Sequence, residues 1–320
     1  MSKGTKGWLI AAGCLVLIGC MLFGGAMTAL NWDFTKLSTG KYETNVYNIT
    51  DDFRSISVQT DTADLVFAVS EDETCSVSCY ENEKAKYTVS VEDDTLIIKL
   101  ENKKAWYEYI GINFSSPKIT VSLPKAEYAS LLVRGSTGDL TVPNAFTFES
   151  IDVSLNTGTV EAFASATGLV KVKASTGNIK LENLTAGALD LSVSTGRITM
   201  SNVTCKEDIT FCVSTGKSIL SHVKCNSLTT DGDTGDLTLA DVIAEKTLTA
   251  ERTTGDVRLE DVDASDIVIK TDTGDVTGNL RSAKVFITQT DTGRMDVPKT
   301  MTGGRCEITT DTGDIKLQIR

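Results

Sequence analysis

From residue 137 to the end of this 320-residue chain, the dipeptide Thr-Gly recurs with a spacing too regular to be accidental. The glycines of the periodic series are Gly138, Gly158, Gly177, Gly196, Gly216, Gly235, Gly255, Gly274, Gly293 and Gly313, separated by 20, 19, 19, 20, 19, 20, 19, 19 and 20 residues. A unit this short has room for two short strands and two turns, but not for a crossover helix. It cannot enclose a core of its own, so it must bury its apolar side on neighbouring copies.

Aligning the units on the glycine exposes the strands. Seven residues before it stand Leu131, Ile151, Val170, Leu189, Ile209, Leu228, Leu248, Ile267, Phe286 and Cys306. Two residues after it come Leu140, Val160, Ile179, Ile198, Ser218, Leu237, Val257, Val276, Met295 and Ile315. The residues between apolar positions are mostly polar, which is the period-2 pattern of a strand with one wet face. Glycine at the junction tolerates positive φ, and the Asp or Asn that often follows it suits a tight turn. A second turn is expected six residues on, at Asn144, Asn183, Asn202, His222, Asp241 and Asp261. These constraints predict an all-β chain built as a parallel β-solenoid, one coil of 19–20 residues per rung and rungs about 4.8 Å apart. A propeller blade needs about 40 residues, and a Greek-key sandwich would not keep so strict a period.

Residues 131–320 are assigned to the coils and 45–130 to an irregular β-rich cap, in which Asp61-Thr62-Ala63-Asp64 reads as a degenerate Thr-Gly-Asp turn. Residues 31–44 form a stem. Before it, residues 8–30 are uncharged and apolar, bracketed by Trp8 and Trp32. As a helix the stretch would span about 34 Å, enough for a lipid bilayer. Lys3 and Lys6 precede it, so residues 1–7 are expected in the cytoplasm and the solenoid outside, at the cell membrane. Leu17-Ile18-Gly19-Cys20 leaves open a lipoprotein acylated at Cys20.

An N-terminal anchor, a leading unit ending in Ile119-Thr120-Val121-Ser122-Leu123-Pro124, and coils marked by Ser136-Thr137-Gly138-Asp139 resemble a bacterial domain family of unknown function called "putative adhesin", which includes LiaG-like envelope proteins. The resemblance covers residues 45–320. It implies an envelope-associated solenoid with an adhesive or envelope-stress role and carries over no catalytic residues.

The composition narrows the chemistry. Forty-three acidic against 31 basic side chains, net −12, argue against nucleic acid as a partner. A single histidine, His222, leaves little for a Ser-His-Asp triad or a His-based metal site, and its slot reads as a surface turn. Asp-Thr-Gly, the aspartic-protease signature, occurs at Asp233, Asp272, Asp291 and Asp311, but other coils put Ser, Asn or Thr in that slot, as a turn residue would allow. Stacked aspartates could attract a hard cation such as calcium, or simply form a solvated acidic edge. Short turns leave no long loops for a glycan-cleaving cleft. No catalytic residue, metal ligand or cofactor is therefore assigned.

Two clusters remain as candidate sites. Cys205 and Cys225 fall in one slot of consecutive coils, either as a disulfide or as two small buried side chains. Trp106, Tyr107, Tyr109, Ile112 and Phe114 form the densest aromatic group beyond the membrane segment, packing the cap or touching a partner. The expected function is non-enzymatic recognition of a cell-wall polymer, glycan or second envelope protein. A self-assembling scaffold and a glycan-acting enzyme are the alternatives. Because the chain stops in strand at Ile315–Arg320, self-association is expected through the C-terminal coil.

Overall fold

The computed structural model describes residues 3–33, 41–102 and 116–320. Lys3–Ala29 is one helix, and its segment Gly4–Ala29, of mean hydropathy 2.3, is long and apolar enough to cross a membrane. Among the described residues, every strand belongs to a single 23-stranded sheet wound into a β-solenoid.

The coil corners follow from two backbone demands. At the first corner Gly177 and Gly196 have φ of +143° and +148°, a region that side chains oppose. Closeness of the rungs adds a second reason for glycine: a Cβ on Gly216 would lie 1.6 Å from the carbonyl oxygen of Gly196. The other corner uses left-handed polar residues, with φ of 54° at Asn183, 53° at Asn202, 54° at His222, 53° at Asp241 and 55° at Asp261. Asn, Asp and His tolerate this conformation better than branched residues do. Asn144, the first of the predicted series, lies in a turn without a positive φ.

These two corners cut each coil into three sides, one more than the sequence pattern suggested. In the coil Leu169–Ala186 the first side turns Val170, Val172 and Ala174 inward, the second Ile179 and Leu181, and the third Leu184 and Ala186. The third side recurs as Val203 and Cys205, Val223 and Cys225, Val242 and Ala244, and Val262 and Ala264, all buried. Two inward positions per coil are too few to register as an alternation of their own. The alternation of 19- and 20-residue periods is absorbed beyond this side. Ala244 pairs with Ala264 at an offset of 20, and Thr247 with Asp266 at 19, with an irregularity between them.

Stacking begins earlier than the glycine signature. Ser55–Gln59 and Asp64–Val69 form a coil in register with the first marked one, Ile56 on Leu131 and Leu65 on Leu140. Thr95–Asn102 and Lys118–Leu123 form another coil beyond it, Leu96 beside Ile56 and Ile119 beside Leu65. The degenerate corner is real: the Asp61 carbonyl accepts from Thr137 N at 2.6 Å, and Asp64 Oδ1 accepts from Asp139 N at 2.9 Å. Antiparallel strands Tyr42–Ile49, Cys75–Asn82 and Ala85–Glu92 then close this end.

At the far end the rungs leave chain order, which corrects the expected place of the C-terminal coil. Gly304–Thr312 and Ile315–Ile319 lie between the Gly274 coil and the Gly293 coil, paired on both sides: Cys306 meets Ile267 and Phe286, and Ile315 meets Val276 and Met295. Rung order therefore runs Gly255, Gly274, Gly313, Gly293. The inward residues explain the choice. Cys306, Ile308, Ile315 and Leu317 are fully buried in the inner coil, whereas the outermost coil has half-buried Phe286, Thr288, an exposed Met295 and half-buried Val297 in the same slots. The more apolar coil takes the place shielded on both sides.

Candidate functional site

Where the residue after a corner glycine is aspartate, it is a structural fastener, and Asp64 acts in the same way at the degenerate corner. Asp64, Asp139, Asp236, Asp256, Asp275 and Asp314 each use Oδ1 to accept the backbone N–H of the equivalent residue one rung on, at 2.7–3.3 Å. The last three links run from Asp256 to Asp275, to Asp314, to Arg294, an independent record of the altered rung order. Charge-assisted bonds of this kind are stronger than neutral ones and favour ionised carboxyls. The Lys217 ammonium, 2.9 Å away, and the Asp256 amide hold Asp236 below its ordinary range. The Arg294 amide and guanidinium do the same for Asp314. Asp233, Asp272, Asp291 and Asp311 lie exposed beside this row. Among the described residues no three His, Cys, Asp or Glu side chains converge as a metal-binding group.

The walls between corners are flat. Their outward charges pair across rungs, Arg134 with Asp152 at 2.8 Å and Lys171 with Asp190 at 2.9 Å. His222 stands at a corner, exposed, with Nε2 3.7 Å from Asp241 Oδ2. A shallow hollow of about 270 Å³ is lined by Pro143, Asn144, Phe163, Glu182 and Asn183, and Lys180 Nζ lies 5.3 Å from the Phe163 ring centre.

A larger hollow, about 410 Å³, opens where the rung order changes, lined by Glu245, Asp263, Ser282, Lys284 and neighbours. Lys284 is its chemical centre, with a side chain only 4% exposed. Its ammonium donates to Asp263 Oδ1 at 2.8 Å, Ser282 Oγ at 2.7 Å and the Ala264 carbonyl at 2.6 Å. All three of its protons are thereby used. Four turns lower in the stack a backbone amide, Lys206 N, serves the Ala186 carbonyl, so the ammonium stands in for a rung that has moved. Burial would raise the Asp263 carboxyl, but the bonds from Lys284 and Ser282 outweigh it and the net shift is downward. A charged, fully engaged lysine is a latch and not a general base.

Among the described residues two other charged groups are buried in the core. Arg252 faces inward above Gly232 and donates to Thr230 Oγ1 at 2.8 Å. In the cap, buried Glu81 accepts from Asn45 Nδ2 at 2.7 Å and from the Tyr87 amide, while the Tyr87 and Thr60 hydroxyls share a 2.7 Å bond. Burial pushes the Tyr87 phenol up to about 12.

The candidate residues from the sequence divide. Cys205 and Cys225 occupy one slot on adjacent rungs, following Val203 on Val223 and Thr204 on Lys224. Both are buried free thiols, and Cys205 Sγ donates to the Gly187 carbonyl at 3.1 Å. Burial, with Cys205 close by, pushes the Cys225 thiol up to about 12. Trp106, Tyr107, Tyr109, Ile112 and Phe114 lie outside the described residues. The Lys284 latch went unnoticed in the sequence; its only signal was a lysine two residues before an inward phenylalanine. Arg252 is the one charged residue in a slot held in the other coils by Leu155, Ala174, Val193, Val213, glycine or threonine.

The sequence profile of the Toastrack DUF4097 family matches residues 53–214 and again 206–320. The chain belongs to the Toastrack family. Solved structures with this architecture include a "putative adhesin" of Parabacteroides distasonis, 17% identical over 74% of this chain and 98% of its own, with a TM-score of 0.50. A "putative adhesin" of Bacteroides fragilis is 17% identical over 88% and 99%, at 0.49. A "putative lipid binding protein" of P. distasonis is 17% identical over 88% and 98%, at 0.47. At such identities the likeness is one of fold. No curated protein matches the chain. In this Toastrack protein the recurrent Thr-Gly-Asp signature is accounted for by rung fastening, so the surfaces left for function are the walls, the hollows and the two ends.

Proposed function

We propose that this Toastrack protein is a non-enzymatic recognition element of the cell envelope, adhesin-like or accessory to an envelope-stress response. In this reading residues 8–30 span the bilayer, 1–7 are cytoplasmic, 31–44 form a stem, and cap and coils stand outside. The observation that carries it is the consumption of polar chemistry by the fold. The post-glycine aspartates fasten rungs, Lys284 is saturated, and wall charges pair with one another. What remains is a rigid, flat, regularly spaced polar surface, suited to an extended partner such as a cell-wall polymer, a glycan or another envelope protein. Fold relatives described as "putative adhesin" support the same direction. Trp106, Tyr107, Tyr109 and Phe114 are proposed as partner contacts, and Cys205 and Cys225 as a staple available under oxidising conditions.

The test has two arms. Protease added to intact cells should degrade the solenoid portion while a tag ahead of residue 1 survives; survival of the solenoid would place it in the cytoplasm and sink the topology. Full-length protein in detergent should retain envelope fractions on a column, less so with Trp106→Ala and Tyr109→Ala together. Passage of every fraction through the column would remove the recognition role.

A further inference from the structure

The two ends of the stack are finished differently. Antiparallel strands close one. At the other, Lys284–Thr292 and Met295–Asp296 pair with the inserted coil on one side only, and among the described residues no strand meets their other side. Open edges are normally guarded by charge, proline or a bulge. Here residues 285–290 read Val-Phe-Ile-Thr-Gln-Thr, with neither charge nor proline. Exposed apolar side chains gather at the same place: Val285 is 38% exposed, Ile287 51%, Met295 53% and Met301 93%. Elsewhere among the described residues from 41 onward, only Val46, Val69 and Leu169 are large, apolar and exposed, and they are scattered.

Electrostatics selects the occupant. The chain carries −12, so two copies repel over most of their surface. Residues 284–301 hold Lys284, Asp291, Arg294, Asp296 and Lys299, close to balance, which makes this end the least opposed approach for a second copy. A strand edge without charge is also compatible with its own image, because antiparallel pairing about a two-fold axis sets no like charges against each other between residues 285 and 290.

The geometry points to a second copy of this chain as the partner of the open end. Two stacks meet head to head about a two-fold axis, their Lys284–Thr292 edges pairing antiparallel and Ile287 lying near the axis. One rung end is smaller than the roughly 800 Å² per partner of a standard interface, so the pairing is weak and depends on concentration. Crowding on a surface raises the effective concentration. The two-fold turns the closed ends, and the segments leading to the helices, in opposite directions. Such pairing therefore suits molecules on facing surfaces, and it holds whatever the walls recognise.

Analytical ultracentrifugation of the full chain in detergent micelles tests this directly. A monomer–dimer equilibrium is expected, with hydrogen exchange at residues 285–291 slowing as concentration rises. Ile287→Lys should weaken association about tenfold or more. Met295→Lys should act in the same sense, and Leu169→Lys on the wall should change nothing. Strictly monomeric protein at the highest attainable concentration would overturn the inference. So would a dimer indifferent to both end substitutions, which would assign association to the helix or another surface.

Discussion

Replacing Gly216 by alanine should break the stack at one defined height. With φ at +139°, any side chain there carries a penalty of about 1–2 kcal/mol. The larger effect is steric. The new Cβ would stand 1.6 Å from the Gly196 carbonyl oxygen and 2.7 Å from its carbon. Both are backbone atoms on a rung paired along its length with the next, so no rotamer relieves the contact. The corner must open, and with it adjoining inter-rung bonds such as that from Ser218 N to the Asp236 carbonyl at 3.0 Å. At about 1 kcal/mol net for each of two such bonds, the total reaches about 3–4 kcal/mol. Stacked repeats need not unfold as one unit, so a urea midpoint for full-length protein should be read beside hydrogen exchange resolved by rung. Amides of the Gly196 and Gly216 coils should lose protection most. Thr215→Ala, an exposed neighbour, should stay within about 0.5 kcal/mol of the parent. Equal midpoints for Gly216→Ala and Thr215→Ala would refute the claim that rung closeness, and not turn formation alone, demands glycine.

Acid should loosen the solenoid from its corners. Asp236, Asp263 and Asp314 have carboxyls held below their ordinary range when folded. Their contribution is therefore present above the unfolded value of about 3.9 and lost as pH falls through the lower folded values. Relief of the −12 charge should favour folding on the way down, so melting temperature should peak near pH 5 and fall below about pH 4; a curve still rising at pH 3 would count against the fasteners. Lys284→Met leaves the Ala264 carbonyl without this donor and Asp263 with only the Ser282 hydroxyl, and should destabilise the Gly313 and Gly293 coils by about 2–4 kcal/mol, seen as faster exchange over residues 284–319 with the Gly177 coil unchanged. Gly232→Ala sets a methyl 2.5 Å from both Arg252 Nη1 and the Val213 carbonyl. It should cost about 2–3 kcal/mol in urea, and adding Arg252→Ala should recover only part of that, since the carbonyl contact stays.

The glycine period made the rungs, their first corner and the left-handed second corner from Asn183 to Asp261 legible, because each rests on one residue with a local conformational demand. The third side was not, since Val203 and Cys205 or Val242 and Ala244 look like the tail of a turn until the chain closes. Rung order was hidden for a different reason: the period fixes where coils can stack but not which coil goes where. The clue lay in residue type. Thr288 stands where the inserted coil has Ile308 and the Gly274 coil has Ile269, which makes the outermost coil the less apolar of the two that compete for the shielded place. Lys284 was unreadable for another reason: its partners Asp263 and Ala264 lie one ordinary period back, and the period does not mark that a side chain would meet them where other rungs use a backbone amide. The polymer or protein that the walls contact left no sequence mark, since a flat polar wall is also what solubility requires.

Rung order itself can be put to experiment by ending the chain after Gly303. Gly293 follows Gly274 by 19 residues, the ordinary period, so the outermost coil is able to settle on the Gly274 coil once the inserted one is gone. One interaction is already matched. Thr310 Oγ1 donates to the Gly274 carbonyl at 3.2 Å, and Thr290, in the equivalent slot, donates to the Gly313 carbonyl at 3.0 Å; after truncation Thr290 meets the Gly274 carbonyl instead. Lost are the buried Ile308, Ile315 and Leu317, each worth about 1.5–3 kcal/mol of burial, against the ordering entropy of the residues removed. The shortened protein should keep its coils from Ser55 to Leu280 and show slow exchange at residues 286–291. Unprotected residues 281–303 above an intact stack would mean that register alone cannot seat a coil, and that Ile308, Ile315 and Leu317 supply the affinity which lets the C-terminal segment displace the coil next to it in sequence.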